Sequence, residues 1–327
     1  MWDFKLSDAF GAMVRTAPFI ILRMLVYLGI SLLYIIATGI GGAIGYGFTS
    51  FSGGQGGGAF YGGLFGFAGV SGLLYLGREY ILYLVKAGHI AVLVLVHDGR
   101  EMPGGRGQID YASGMVKQKF AEASLLFALD QIIKGVLRTI TGILNTVATI
   151  LPIPGLNGLA RLISAILRMS VTYVDEIILA HNFHVRSDNP WETSRQALVL
   201  YAQNYKVMIK NAAWLWLLMW ALTFVIFFVL LGPVVALIAL FPGDIGFLSI
   251  AVAFILAWSL KAALLEPVAI YALMQVYFAT IEGQVPDREW ELRLEQASDK
   301  FRQLRQRAED AFSRSRPAAD RAGQNPP

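Results

Sequence analysis

The chain has 327 residues, of which 56% are hydrophobic and only 15% are charged, and its formal net charge is +4. A soluble domain carries about 25% charged residues, so the composition argues against a soluble fold. There is no cysteine, which excludes disulfides and thiolate metal sites. These features predict an all-α integral membrane protein with the lipid bilayer as its solvent.

Long apolar stretches predict about six transmembrane helices, since each reaches the ~20 residues that a span requires. They pair into three hairpins at about 17–97, 121–182 and 211–281. A link rich in Gly, Ser or Pro joins the two helices of each hairpin. Glycines also line both helices of the first hairpin, and they predict close packing between these helices. The membrane domain is expected to comprise residues 1–285.

Basic residues predict the orientation of the hairpins. The three turns carry no Lys or Arg, whereas the loops on the opposite side and the C-terminal tail do. Because Lys and Arg mark the cytoplasmic side, both termini are expected in the cytoplasm, in a bacterial inner membrane or a plasma membrane. The second hairpin carries charges in both helices, so it either spans the bilayer or lies partly in the interface.

Amphipathic runs precede the three hairpins, at 4–13, 111–120 and 192–206, and they predict juxtamembrane helices. The charged tail, 286–327, is predicted to be a solvated cytoplasmic helix followed by a disordered end. It serves either to bind a protein partner or only to improve solubility. The excess of Lys and Arg also suggests contacts with anionic lipids.

Two stripes of charge mark the second hairpin. Asp130, Lys134 and Arg138 are spaced by four residues, and Arg161, Arg168 and Asp175 by seven. Lys134 and Asp175 are expected at a similar depth, where they would form a salt bridge, and Arg138 and Arg168 would bring two cations together. The stripes either line a substrate path or form the solvent-exposed face of a hairpin that lies in the membrane interface.

Each hairpin has one glutamate in its returning helix: Glu79, Glu176 and Glu266. Glu266 precedes Pro267, which removes a backbone hydrogen bond and kinks the helix. Glu266 is therefore predicted to bind a cation or carry a proton, or else to pair with a Lys or Arg of a neighbouring helix. Lys261, five residues earlier, is expected to point away from it.

No motif indicates an enzyme or a cofactor site, and nothing suggests binding to nucleic acid. Three short motifs suggest a relationship to a known family: Asn182-Phe183, Thr193-Ser194-Arg195-Gln196-Ala197 and Met208-Ile209-Lys210-Asn211. On these residues the C-terminal third resembles the last spans of the choline transporter-like family, although that family has ten spans and a large outer loop. The resemblance implies transport of a small organic cation. We therefore expect a membrane protein of transporter-like build, the alternative being a non-transporting scaffold or partner-binding protein.

Overall fold

The computed structural model describes residues 2–50, 53–101, 107–119, 128–139, 173–186, 188–240 and 246–315. Every regular element in these ranges is helical, which confirms the predicted all-α class. The elements in chain order are α1 (Leu6–Arg15), α2 (Ala17–Thr49), α3 (Gln55–His97), α4 (Gln108–Lys119), α5 (128–139), α6 (Val174–Val185), α7 (Pro190–Gln203), α8 (Tyr205–Ile238), α9 (Gly246–Leu260), a π-helical turn (Lys261–Leu265), α10 (Glu266–Ile281), α11 (Arg288–Ala297) and α12 (Asp299–Ser315).

Four helical segments are long and apolar enough to cross a membrane: Ala17–Thr49, Tyr80–His97, Tyr205–Ile238 and Ser249–Ile281. In the first and third of these, only 17% of the most apolar window is buried inside the protein. The remaining apolar surface needs lipid around it, so the chain is a membrane protein. The four segments belong to the first and third predicted hairpins. Residues 140–172 of the second hairpin lie outside the described residues, and its two spans stay predictions.

Short helices lie where the amphipathic runs were predicted, and they are α1, α4 and α7. Helix α7 begins with Pro190, whose missing N–H costs nothing at a helix start, and the Asn189 side chain accepts a hydrogen bond from the Glu192 N–H. Thr16 separates α1 from α2, and Asn204 separates α7 from α8. In both cases a short helix thus leads directly into a long apolar one.

The chain folds into two compact units. The first unit comprises 1–15, 87–217 and 269–327, and the second comprises 16–86 and 218–268. The core of the first unit contains fully buried side chains from α3, α6 and α10, namely Ile90, Leu93, Ile177, Ile178, Phe183 and Tyr277.

The tail helices α11 and α12 pack along α7 within the first unit. Phe301 and Leu304 are completely buried and Leu294 is 5% exposed, whereas the sequence predicted a solvated helix. Phe301 and Leu304 are three residues apart and so lie on one face of α12, while Leu294 belongs to α11. The tail therefore has an apolar stripe of its own, which explains why it docks on the protein.

A network of charges accompanies the docked tail. Arg195 of α7 forms ion pairs with Glu192 in the same helix and with Glu291 in α11. Burial acts to raise the pKa of the Glu192 carboxyl, but hydrogen bonds from Arg195 and Gln196 together with the Arg195 charge lower it overall. Glu192 is therefore ionised at neutral pH, and it keeps its charge to a lower pH than an unpaired glutamate would.

In the second unit, α2 packs against α9 and against the π-helical turn, while α8 meets α9 through a small apolar cluster. Helices α2 and α3 approach each other at glycines, as the sequence predicted. A Cβ added to Gly41 or Gly45 of α2, or to Gly62 or Gly66 of α3, would collide with the backbone of the facing helix. On α2, the Ser31 hydroxyl is hydrogen-bonded to the Ser259 hydroxyl of α9.

Candidate functional site

The backbone is irregular where α9 gives way to α10. The N–H of Glu266 bonds to the carbonyl of Lys261, five residues earlier, instead of to that of Ala262. The next residue is Pro267, which has no N–H to offer to the Ala262 carbonyl. That carbonyl is instead bonded by the guanidinium of Arg23, whose Nη2 lies 2.9 Å from it. A side chain of α2 thus supplies the hydrogen bond that the Ala262 carbonyl lacks at the helix break.

The same break places the Glu266 carboxylate among three cations. Its Oε2 lies 3.7 Å from Nη2 of Arg23 in α2 and 3.5 Å from Nζ of Lys86 in α3. Its Oε1 lies 3.7 Å from Nζ of Lys261 in the π-helical turn. Charge-assisted hydrogen bonds are usually about 2.7–2.9 Å long. Glu266 is therefore shared loosely between three groups and is tightly bound to none of them.

These four side chains, which we call the Glu266 cluster, are removed from solvent to different degrees. The Arg23 side chain is 1% exposed, Lys261 and Glu266 are 14% and 15% exposed, and Lys86 is 26% exposed. Among the described residues, three formal positive charges lie within 3.7 Å of the Glu266 carboxylate. Because charge is costly near the hydrocarbon core, such an excess favours the approach of a further anionic group.

The prediction that Glu266 pairs with basic residues of neighbouring helices is confirmed by Arg23 and Lys86. The prediction that Lys261 points away from Glu266 is wrong. Five residues make about 1.4 turns of an α-helix, which would separate the two side chains. The π-helical turn bonds residue i to residue i+5 and so brings them onto one face.

A second charged cluster lies in the first unit, between α5 and α6. Lys134 Nζ is 2.7 Å from an Asp130 oxygen and 3.6 Å from an Asp175 oxygen, so the predicted Lys134–Asp175 pair is confirmed. Glu176, the next residue, is buried at the start of α6. Among the described residues, the Lys134 ammonium thus contacts two carboxylates and also feels the charge of Glu176, so acidic groups outnumber basic ones here, unlike in the Glu266 cluster.

The other predicted site residues are placed only in part. Arg138 is exposed on α5, one turn beyond Lys134. Arg168 and the side chain of Glu79 lie outside the described part of the protein. The proposed meeting of Arg138 with Arg168 therefore stays a prediction, as do the roles of these residues and of Glu176 in a substrate path.

The geometry changes what is expected of Lys134 and Asp175. Asp175→Ala leaves Lys134 paired with Asp130, whereas Lys134→Ala leaves two carboxylates without their shared cation. Lys134→Ala should therefore be the more destabilising change, by about 1–3 kcal/mol, since the pair is neither fully exposed nor fully buried. Thermal unfolding of both variants and of the unaltered protein in detergent shows which substitution lowers the stability more.

The matched control for this pair is Arg138→Ala, which removes an exposed cation from the same helix and should shift the unfolding temperature little. Adding Asp175→Ala to Lys134→Ala should recover part of the lost stability. An equal loss in both single variants, with no recovery in the double variant, would show that the contact is not energetically coupled.

Two histidines, His181 and His184, lie in the second half of α6. His184 Nδ1 is 2.8 Å from a carboxylate oxygen of Asp98, and His181 Nδ1 is 3.2 Å from the Tyr277 hydroxyl. Among the described residues, no group of three or more His, Asp and Glu side chains is placed to hold a metal ion. These contacts join α6 to α10 and to Asp98, the residue that follows α3, within the first unit.

Sequence reasoning missed Arg23 and Lys86 as site residues. Arg23 is the one charge within the apolar run of α2, and Lys86 lies in the apolar run of α3. Intramembrane charges are costly and mark candidate functional sites, so the position of Arg23 and Lys86 within apolar runs is the signal that identifies both residues from the sequence.

Comparisons with family models, with curated proteins and with solved structures found no match for the chain. The resemblance to the choline transporter-like family therefore stays a prediction. The fold and the Glu266 cluster define the protein as a helical membrane protein with a charged centre built around an interrupted helix.

Proposed function

We propose that the protein is a multi-span membrane protein of transporter-like build, and that the Glu266 carboxylate is its working group. One observation carries this proposal: the helix is interrupted at Lys261–Leu265, and the carboxylate at the break is shared between cations of α2, α3 and the break itself. Several transporter folds bind substrates and ions at discontinuous helices, and π-helical turns are frequent at functional sites.

The shared carboxylate gives the cluster two available arrangements. While Glu266 is ionised, it holds α2 and α3 against the π-helical turn. When Glu266 takes up a proton, or when an incoming anion competes for Lys261 and Lys86, these contacts weaken and the helices can separate. A switch of this kind needs discrete packing arrangements and a group that favours one of them. The loose contacts of Glu266 support this role.

The charge of the cluster bears on the class of substrate. With three cations around one carboxylate, the site favours an anion over the small organic cation that the family resemblance implies.

The proposed arrangement has six spans in a bacterial inner membrane or a plasma membrane, with both termini in the cytoplasm. It is supported by the basic loops and by the four apolar segments described above.

The test uses the purified protein in lipid vesicles on a solid-supported membrane. Choline serves as the cationic probe and glycerol 3-phosphate as the anionic probe, and transport currents are recorded for each. We expect currents with the anion, and we expect Glu266→Gln to abolish them, because the variant preserves the shape of the side chain but not its charge.

The matched control is Glu282→Gln, which removes an exposed carboxylate just beyond the end of α10 and should leave the currents intact. Currents that are unchanged in folded, inserted Glu266→Gln protein would refute the role of this carboxylate. Currents with choline alone would overturn the proposed substrate class.

The docked tail favours a second candidate function, a non-transporting membrane scaffold. Helix α12 is held on α7 through buried Phe301 and Leu304, and α11 through buried Leu294 and the Arg195–Glu291 ion pair, so the two helices present a fixed polar surface to a protein partner. The absence of currents with either probe from correctly folded protein would favour this candidate over transport.

A further inference from the structure

A groove of about 620 Å³ opens on the surface of the second unit. Four aromatic residues line it: Tyr34 from α2, Phe67 from α3, and Phe254 and Trp258 from α9. About half the surface of Phe67, Phe254 and Trp258 is exposed. In a membrane protein such a groove contacts lipid chains, which pack well against aromatic rings.

The groove continues to the Glu266 cluster through Trp258. The Lys261 ammonium lies 4.8 Å from the centre of the Trp258 ring, so this one side chain borders both sites. Ser31 and Ser259, which bond to each other, also line the groove near this end. The groove and the cluster therefore form one continuous surface that is apolar along its length and cationic at one end.

The length of α9 allows the cationic end to reach the lipid headgroups. About 20 residues, or roughly 30 Å of helix, separate Glu266 from the start of α9. The hydrocarbon core of a bilayer is about 30 Å thick, so placing the start of α9 at one edge of the core puts the Glu266 cluster near the other edge, where lipid phosphates are found.

The donors at this end are suited to a phosphate. An ammonium group has three N–H donors, and the Lys261 ammonium lies over the Trp258 ring and makes a long contact, 3.7 Å, to Glu266. A phosphate oxygen could therefore bond to Lys261 without displacing Glu266. We propose that this surface binds an anionic phospholipid, with one acyl chain in the aromatic groove and the phosphate at Lys261 and Lys86. This inference does not depend on whether the protein transports a substrate.

The test is native mass spectrometry of the delipidated protein with added dioleoyl phosphatidylglycerol or dioleoyl phosphatidylcholine, which differ in headgroup charge but not in their chains. We expect about tenfold tighter binding of the anionic lipid, since each lysine at an anionic headgroup strengthens binding several-fold. The double variant Lys86→Gln/Lys261→Gln should bind the two lipids almost equally.

The matched control is Lys206→Gln, which removes an exposed lysine near the start of α8, outside the groove, and should preserve the preference. An excess of inorganic phosphate should not displace the lipid. Displacement by phosphate would show a site for a free anion, and equal binding of the two lipids by the unaltered protein would overturn the proposal.

A second measurement covers the case in which the lysine variants fail to fold. Phosphatidylglycerol with brominated chains, added at an equimolar ratio, should quench tryptophan fluorescence in the unaltered protein. The quenching should fall sharply in Trp258→Phe, which keeps an aromatic ring in the groove. Undiminished quenching in this variant would place the acyl chain elsewhere and refute the proposed groove.

Discussion

Arg23→Met is expected to destabilise the protein by about 2–3 kcal/mol, although it removes a buried charge from an apolar helix. The reason is that Arg23 donates to the Ala262 carbonyl, which has lost both helical donors at the π-helical turn. A buried carbonyl left without a donor costs about 1–3 kcal/mol. The variant also removes a cation that ties α2 to Glu266, which places the estimate at the upper part of this range.

Thermal unfolding in detergent measures this loss, and Arg15→Met is the matched control because Arg15 is exposed at the end of α1. Arg23→Lys should restore only part of the stability, since a single ammonium lacks the planar fork that serves the carbonyl and the carboxylate together. If Arg23→Met unfolds at the same temperature as the unaltered protein, the guanidinium does not support the helix break.

Most of the fold could be predicted from the sequence because lipid imposes simple rules. A span must be apolar over ~20 residues, and its backbone must be bonded internally. These rules place α2 and the end of α10 almost at their observed limits, since the predicted hairpins begin at 17 and end at 281. The glycines of α2 and α3 were equally informative, because small residues are what allow two helices to approach closely.

The tail and the Glu266 cluster were harder to predict, for two different reasons. The apolar stripe that includes Phe301 and Leu304 is short and lies among many charged residues, so average composition hides it. The contact of Lys261 with Glu266 depends on one extra residue in a single turn, and a regular helical pattern cannot anticipate such a turn. Pro267 indicated that the helix is irregular at this point, but it did not indicate whether the side chains of Lys261 and Glu266 would lie on the same face.

The glycine contact in the first hairpin is expected to tolerate no larger side chain. A Cβ at Gly45 would collide with the Gly58 carbonyl and lie 3.0 Å from the Gly62 Cα. The obstacle is backbone, which cannot rotate away as a side chain could. Gly45→Leu should therefore force α2 and α3 apart, at a cost of about 3 kcal/mol or more, above the usual cost of overpacking a core.

Gly47→Leu is the matched control, because it lies two residues further along α2, where a Cβ would meet nothing within 4 Å. The chain has no cysteine, so a disulfide between Thr38→Cys and Gly63→Cys can report whether the helices remain in contact; a Cβ at Gly63 would lie 3.5 Å from the Thr38 Cγ2. We expect the disulfide to form in the control and to fail in Gly45→Leu. Equally efficient cross-linking in both variants would show that α2 and α3 do not depend on this glycine contact, and the position of Arg23 and Lys86 beside Glu266 would then need support from elsewhere in the second unit.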